Sequence, residues 1–221
     1  MTVDDSLLDS PSNNFATLNP LATQTTTLSE GNLKKTFSAA ESSMATIGVN
    51  SGKWYWEVYP TGTINPYTSP NFGIGVTNST EARMGSSSPG GDTTIAVMYS
   101  DNTQYTPNST QVSDTLQAPL MGDVYGVALD VDAETLDFYQ NGTKRFECNN
   151  FTIDGPFFPT VDRGASAATR SLVVNFGQDS SFAGSLVFGA NRKTVSAAAQ
   201  DSNEIGDFYY EPPAGYLALC T

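Results

Sequence analysis

Alternation with a period of two runs through the middle of this chain. In Gly52-Lys53-Trp54-Tyr55-Trp56-Glu57-Val58, the residues Trp54, Trp56 and Val58 fall on one face. In Gly122-Asp123-Val124-Tyr125-Gly126-Val127-Ala128-Leu129-Asp130, Val127 and Leu129 share a face, continued by Val131. Leu136-Asp137-Phe138-Tyr139-Gln140-Asn141-Gly142 repeats the pattern. Bulky apolar residues alternating with polar or small ones mark half-buried strands. The pattern predicts strands over 53–59, 71–77, 94–99, 123–130, 135–140, 157–161 and 171–176. Gly, Pro, Ser and Asn clusters at 60–70, 85–91, 105–109 and 162–169 separate them. Many short strands without a long helical period predict an all-β sandwich of antiparallel sheets, with a jelly roll as the alternative. Val131-Asp132-Ala133-Glu134 suits a tight hairpin, and Asn141-Gly142 is a turn dipeptide because both residues tolerate positive φ.

A chain of 221 residues is long enough to bury a core without disulfide staples. Its formal charge of −13, from 23 acidic and 10 basic residues, is repelled by phosphate backbones and anionic lipid surfaces. Nucleic acid is thereby disfavoured as a partner, and the acidity reads as a solubility feature. Charged residues are only 15% of the chain, so Ser, Thr, Asn and Gln must cover much of the surface. Cys148 and Cys220 are read as free thiols. No apolar run reaches the length of a bilayer span, and the N-terminus lacks the pattern of a signal peptide. The expectation is a soluble protein that does not insert into membranes, in which the sequons at Asn78, Asn108, Asn141 and Asn150 arise by chance.

The chemistry open to the chain is narrow. It contains no histidine and two distant cysteines, so neither a tetrahedral zinc set nor Ser-His-Asp or Cys-His catalysis can be assembled. Asp130, Asp132, Glu134 and Asp137 echo the start of an EF-hand loop, but Thr135 stands where such a loop needs glycine. They are read as a solvated hairpin end, with no metal and no cofactor. Glu57 and Asp137 could act as paired acids on a glycan if they faced one groove, against the reading that both merely point outward from strands. Gly73-Ile74-Gly75 has no strand–loop–helix context and is read as a packing feature.

Four segments in order, Gly52 to Val58, Gly122 to Gly142, Gly155-Pro156-Phe157-Phe158-Pro159-Thr160-Val161 and Val173-Val174-Asn175-Phe176-Gly177, resemble the SPRY (B30.2-like) domain family. The resemblance implies a concanavalin-like sandwich of two antiparallel sheets that serves protein recognition without catalysis. On this reading residues 1–46 form an N-terminal arm over the sandwich, 47–189 the sandwich, and 190–221 a C-terminal extension. It also implies a binding surface of loops at one end. Those loops hold Tyr67, Thr68 and Pro70, then Tyr99 and Asp101, then Asp162 and Arg163, with Tyr105 beside them. Aromatic rings in loops give large contact area at low entropic cost.

The flanks carry a second resemblance. Asp9-Ser10-Pro11-Ser12-Asn13-Asn14-Phe15-Ala16-Thr17-Leu18-Asn19-Pro20 and the stretch from Gly206 to Thr221 resemble the sequences around SPRY-like modules in tailed-bacteriophage structural proteins. The implied role is a non-enzymatic virion module on a tail fibre, spike or capsid surface. Its expected partners are other virion proteins, or a host-surface protein or glycan. A lectin-like receptor-binding domain is the alternative, and a glycan-cleaving enzyme using Glu57 ranks below it. The chain reads equally as a short version or an excised piece of such a protein. It has no trimer signature, and self-association stays open.

Overall fold

A computed structural model of the chain describes residues 15–22, 27–38, 41–61, 72–78, 94–98, 104–105, 110–113, 123–149, 155–163, 170–177 and 217–218. The strands are β1 (Leu28–Ser29), β2 (Lys34–Phe37), β3 (Glu41–Met44), β4 (Lys53–Thr61), β5 (Gly73–Thr77), β6 (Thr94–Met98) and β7 (Gln104–Tyr105). They continue as β8 (Thr110–Ser113), β9 (Tyr125–Asp130), β10 (Thr135–Gln140), β11 (Thr143–Asn149), β12 (Phe158–Arg163), β13 (Arg170–Asn175) and β14 (Leu217–Ala218). The larger sheet has the order β1-β2-β13-β4-β9-β10-β11-β8, and the smaller one β3-β12-β5-β6-β7. Pairing is antiparallel except at β14, which runs parallel to β4 beside Trp54 and Tyr55, beyond the point where β13 leaves that edge at Asn175. The expected all-β sandwich of two antiparallel sheets is the observed one.

Register explains the core. Trp56 lies opposite Val127, which lies opposite Phe138, which lies opposite Phe146, so one row of apolar side chains crosses four strands. Trp54, Leu129, Leu136 and Cys148 form the next row. The smaller sheet answers with Ile74, Val76 and Val161, and Phe72 meets Tyr125 edge-on across the sandwich at 5.1 Å between centroids. Strand β4 continues through Pro60 because its pairing with β9 has already ended at Val58, leaving that edge without a ladder bond to lose.

The N-terminal segment enters the sandwich more deeply than its weak periodicity suggests. Strands β1 and β2 extend the larger sheet and β3 the smaller, while Ala16, Leu18 and Phe37 are core residues. Leu18 bridges to Ala45, and its amide donates to the Asn32 carbonyl, tying the two sheets along one side. Core-facing Lys35 has no exposed surface, and its ammonium sits 5.5 Å from the Phe37 ring centroid. Among the described residues no helix is long and apolar enough to cross a membrane.

Candidate functional site

The register gathers several strand ends at one end of the sandwich. Thr61, the last residue of β4, pairs with Ser171 near the start of β13. Gly73, the first residue of β5, pairs with Met98 at the end of β6 and with Asp162 near the end of β12. The connections 62–72, 99–103 and 164–169 therefore leave and return at this end. Tyr67, Thr68, Pro70, Tyr99 and Asp101 lie outside the described residues. Three expected loop residues are instead in strands. Asp162 and Arg163 are the last residues of β12, because β3 supplies Ser42 and Glu41 as partners that carry the ladder past Val161. Tyr105 is in β7 opposite Ala96, since the chain turns back after β6 and pairs with it.

A buried carboxylate fastens this end. Asp123 is 6% exposed and precedes β9. Its Oδ2 accepts from Gln140 Nε2 at 2.8 Å and from the Tyr125 hydroxyl at 3.2 Å, and its Oδ1 accepts from Asn141 Nδ2 at 2.7 Å. Asn141 Oδ1 in turn accepts from the Val124 amide at 2.9 Å, and the Asn141 amide donates to the Val124 carbonyl at 2.8 Å. Asn141 and Gly142 take φ of 52° and 76°, the paired left-handed conformations of a tight hairpin. Tyr125, held by Asp123, contacts Phe72 at the start of the smaller sheet, so one hydrogen-bond network fixes both layers. Sequence reading found the turn but not Asp123. The available signal was an aspartate just before a strand whose hairpin partner ends in Gln-Asn-Gly.

The outer face of the larger sheet holds a second cluster. Tyr55, Glu57, Asp137 and Tyr139 point away from the core, as alternation requires, on strands that flank Gly126 and Ala128 of β9. Glu57 and Asp137 thus share a face, but both are 9% exposed rather than solvated. The Tyr55 hydroxyl donates to Glu57 Oε1 at 3.3 Å, and the Tyr55 and Tyr139 rings meet edge-on at 6.4 Å. A Cβ on Gly126 would stand 2.2 Å from the Tyr55 hydroxyl oxygen, so this glycine is what lets the ring lie across β9. Gly126→Ala should displace that ring and cost about 1–3 kcal/mol in urea unfolding.

Register shifts by one residue between Phe138, opposite Phe146, and Tyr139, opposite Lys144. This irregularity brings Lys144 onto the outer face. There its Nζ meets Asp137 Oδ2 at 2.9 Å and also Glu147 Oε2. Burial pushes the Asp137 carboxyl up, with Glu147 adding to the rise and Lys144 opposing it. Lys144 and Asn149 hold Glu147 below the usual carboxylate range. A lowered folded pKa contributes stability above the unfolded value and loses it as pH falls through the folded one, whereas a raised pKa penalises the ionised fold until acid relieves it. Lys144→Met removes the partner of both carboxylates. It should cost about 1–2 kcal/mol near neutrality, and denaturation midpoints of the two proteins should draw together as pH falls through and below the usual carboxylate range.

At the opposite end, two of the hairpin acids, Asp130 and Asp132, are engaged by protein groups. Asp130 is buried rather than solvated, contrary to the sequence expectation, because Lys53 Nζ lies 2.5 Å from its Oδ2 and the Ala133 amide caps its Oδ1. Burial works to raise its carboxyl, but Lys53 and the amides of Ala133 and Asp132 outweigh burial and hold it low. Asp132 accepts from the Gly52 amide, fastening the hairpin to the start of β4.

Two facing antiparallel sheets, with the ends of β4, β6 and β12 and the starts of β5 and β13 at one end, define a β-sandwich. The chain belongs to the SPRY domain family, whose profile matches residues 53–179. The fold is similar to the SPRY domain of human HERC1, at 18% identity and a TM-score of 0.55, covering 72% of this chain and 96% of that one. It is also similar to stonustoxin, at 22% identity and a TM-score of 0.51, covering 79% of this chain and 30% of that one. No curated protein matches the chain. Family membership places it among protein–protein binding modules.

Proposed function

We propose that this SPRY domain is a non-enzymatic module of a tailed-bacteriophage particle, attaching through the loop-bearing end to another virion protein or to a host-surface protein. The observation that carries the binding reading is the Asp123 network at the end of the sandwich where β4, β6 and β12 finish and β5 and β13 begin. A fixed base lets loops hold a contact geometry without losing all their entropy on binding. Tyr67 and Tyr99 supply aromatic anchors, and Asp101, Asp162 and Arg163 supply charge for register. Thr68, Pro70 and Tyr105 complete the proposed surface. The particle setting rests on the flanks at 9–20 and 206–221, which resemble those of phage structural proteins. The chain's strong negative charge agrees with a protein partner rather than a nucleic acid.

Labelling purified particles with an antibody against this chain, followed by electron microscopy with subunit counting, tests the setting. Signal at the tail tip in few copies supports host attachment. Signal over the shell in many copies supports decoration. Particles that contain none of the chain overturn the virion role and leave the binding module without that setting.

A further inference from the structure

The Asn141-Gly142 turn carries a reactivity separate from recognition. It is the single Asn-Gly pair in the chain. Such pairs are the most prone to spontaneous deamidation, because glycine has no side chain to shield its amide nitrogen. Gly142 is exposed, and nothing lies within 4 Å of where its Cβ would be. The Asn141 carboxamide, however, is held at both ends: Nδ2 by Asp123 Oδ1 at 2.7 Å, and Oδ1 by the Val124 amide at 2.9 Å. A carboxamide turned toward Asp123 and Val124 is not presented to the Gly142 nitrogen.

We propose that Asn141 is a latent deamidation site that the Asp123 carboxylate keeps closed, and that its conversion releases the hairpin turn from the loop-bearing end. When the turn opens, the Gly142 amide nitrogen gives up its proton to solvent and attacks Asn141 Cγ. The new N–Cγ bond forms, Nδ2 takes a proton back from solvent, and the Cγ–Nδ2 bond breaks with Nδ2 leaving as ammonia. Water then opens the succinimide to aspartate or isoaspartate, and nothing is oxidised or reduced. In the aspartate product a carboxyl oxygen stands where Nδ2 had donated to Asp123, and in the isoaspartate product Cγ is bonded to the Gly142 nitrogen, so in both the Nδ2 donor is gone. Asp123 Oδ1 then loses the N–H donor it had at 2.7 Å, so the closed turn cannot re-form as before. Opening is the controlling step, because the reaction draws on the open population.

Peptide mapping of the full chain after incubation at mildly alkaline pH tests this, reading amide-to-acid conversion and isoaspartate at Asn141. Conversion in the native chain should be slower by about tenfold or more than in the chain unfolded in urea. Asp123→Ala should raise the native rate toward the unfolded one. Independently of that variant's folding, Asn141→Asp should melt below the parent, and adding Asp123→Asn should recover part of the loss by restoring a donor–acceptor pair. Equal conversion in native and unfolded chains overturns the proposal. So does an Asn141→Asp variant that melts with the parent, or one that Asp123→Asn does not rescue.

Discussion

Trp56→Ala should lower the free energy of unfolding by about 3–5 kcal/mol. Trp56 is fully buried at the β4 end of the row that runs through Val127, Phe138 and Phe146. Its indole N–H meets no acceptor among the described residues, so the side chain contributes by packing rather than by a hydrogen bond. The cavity would open between two sheets whose backbones are held by ladders on either side of β4, which limits collapse. Trp56→Phe keeps most of the ring volume and loses no bond, so it should cost only about 1 kcal/mol. Urea unfolding checks both: the midpoint should fall steeply for alanine and slightly for phenylalanine, with the slope unchanged. A typical domain has only about 5–15 kcal/mol to lose, so the alanine variant sits near the folding threshold.

Asp123→Ala should cost about 3 kcal/mol through a different mechanism. It strands the donors Gln140 Nε2, Asn141 Nδ2 and the Tyr125 hydroxyl, the first and last of them on buried residues. For a chain of this size that is a fall in melting temperature of roughly 6–12 °C. Asp123→Asn should not rescue it, since one carboxylate oxygen becomes an amide nitrogen facing donors. Hydrogen exchange at Val124 should also quicken, because its amide is held by the Asn141 side chain that Asp123 positions.

The strands buried on an alternating face were legible. Residues 135–140 match β10, and β4 and β9 differ from expectation only at their ends, because Trp54, Trp56, Val127, Leu129 and Phe138 announce a period of two. The missed strands lack that pattern for particular reasons. In β2 one of the two core-facing positions is Lys35, a residue that no hydropathy pattern would place inside. Strand β3 is Glu-Ser-Ser-Met, with no alternation at all. In β11 the register shift beside Arg145 breaks the alternation between Lys144 and Phe146. The end of β12 was hidden for the same cause as β3, since its last residues are in a strand only because β3 pairs with them. The polar networks were the least legible. Asp123 meets Asn141, and Lys144 meets Asp137, only once hairpin registers and one irregularity are fixed. The outward direction of Glu57 and Asp137 was readable from alternation, but their burial was not.

On the proposed function, the loop-bearing end rather than the outer face of the larger sheet meets the partner. Photo-crosslinking amino acids placed singly at positions 67, 99 and 144 of the full chain, in otherwise intact particles, test it most directly. Crosslinks to a second protein from Tyr67 and Tyr99 positions, with none from the Lys144 position, are the predicted result. Crosslinks from the Lys144 position alone would put the partner on the outer sheet face and overturn the proposed binding end.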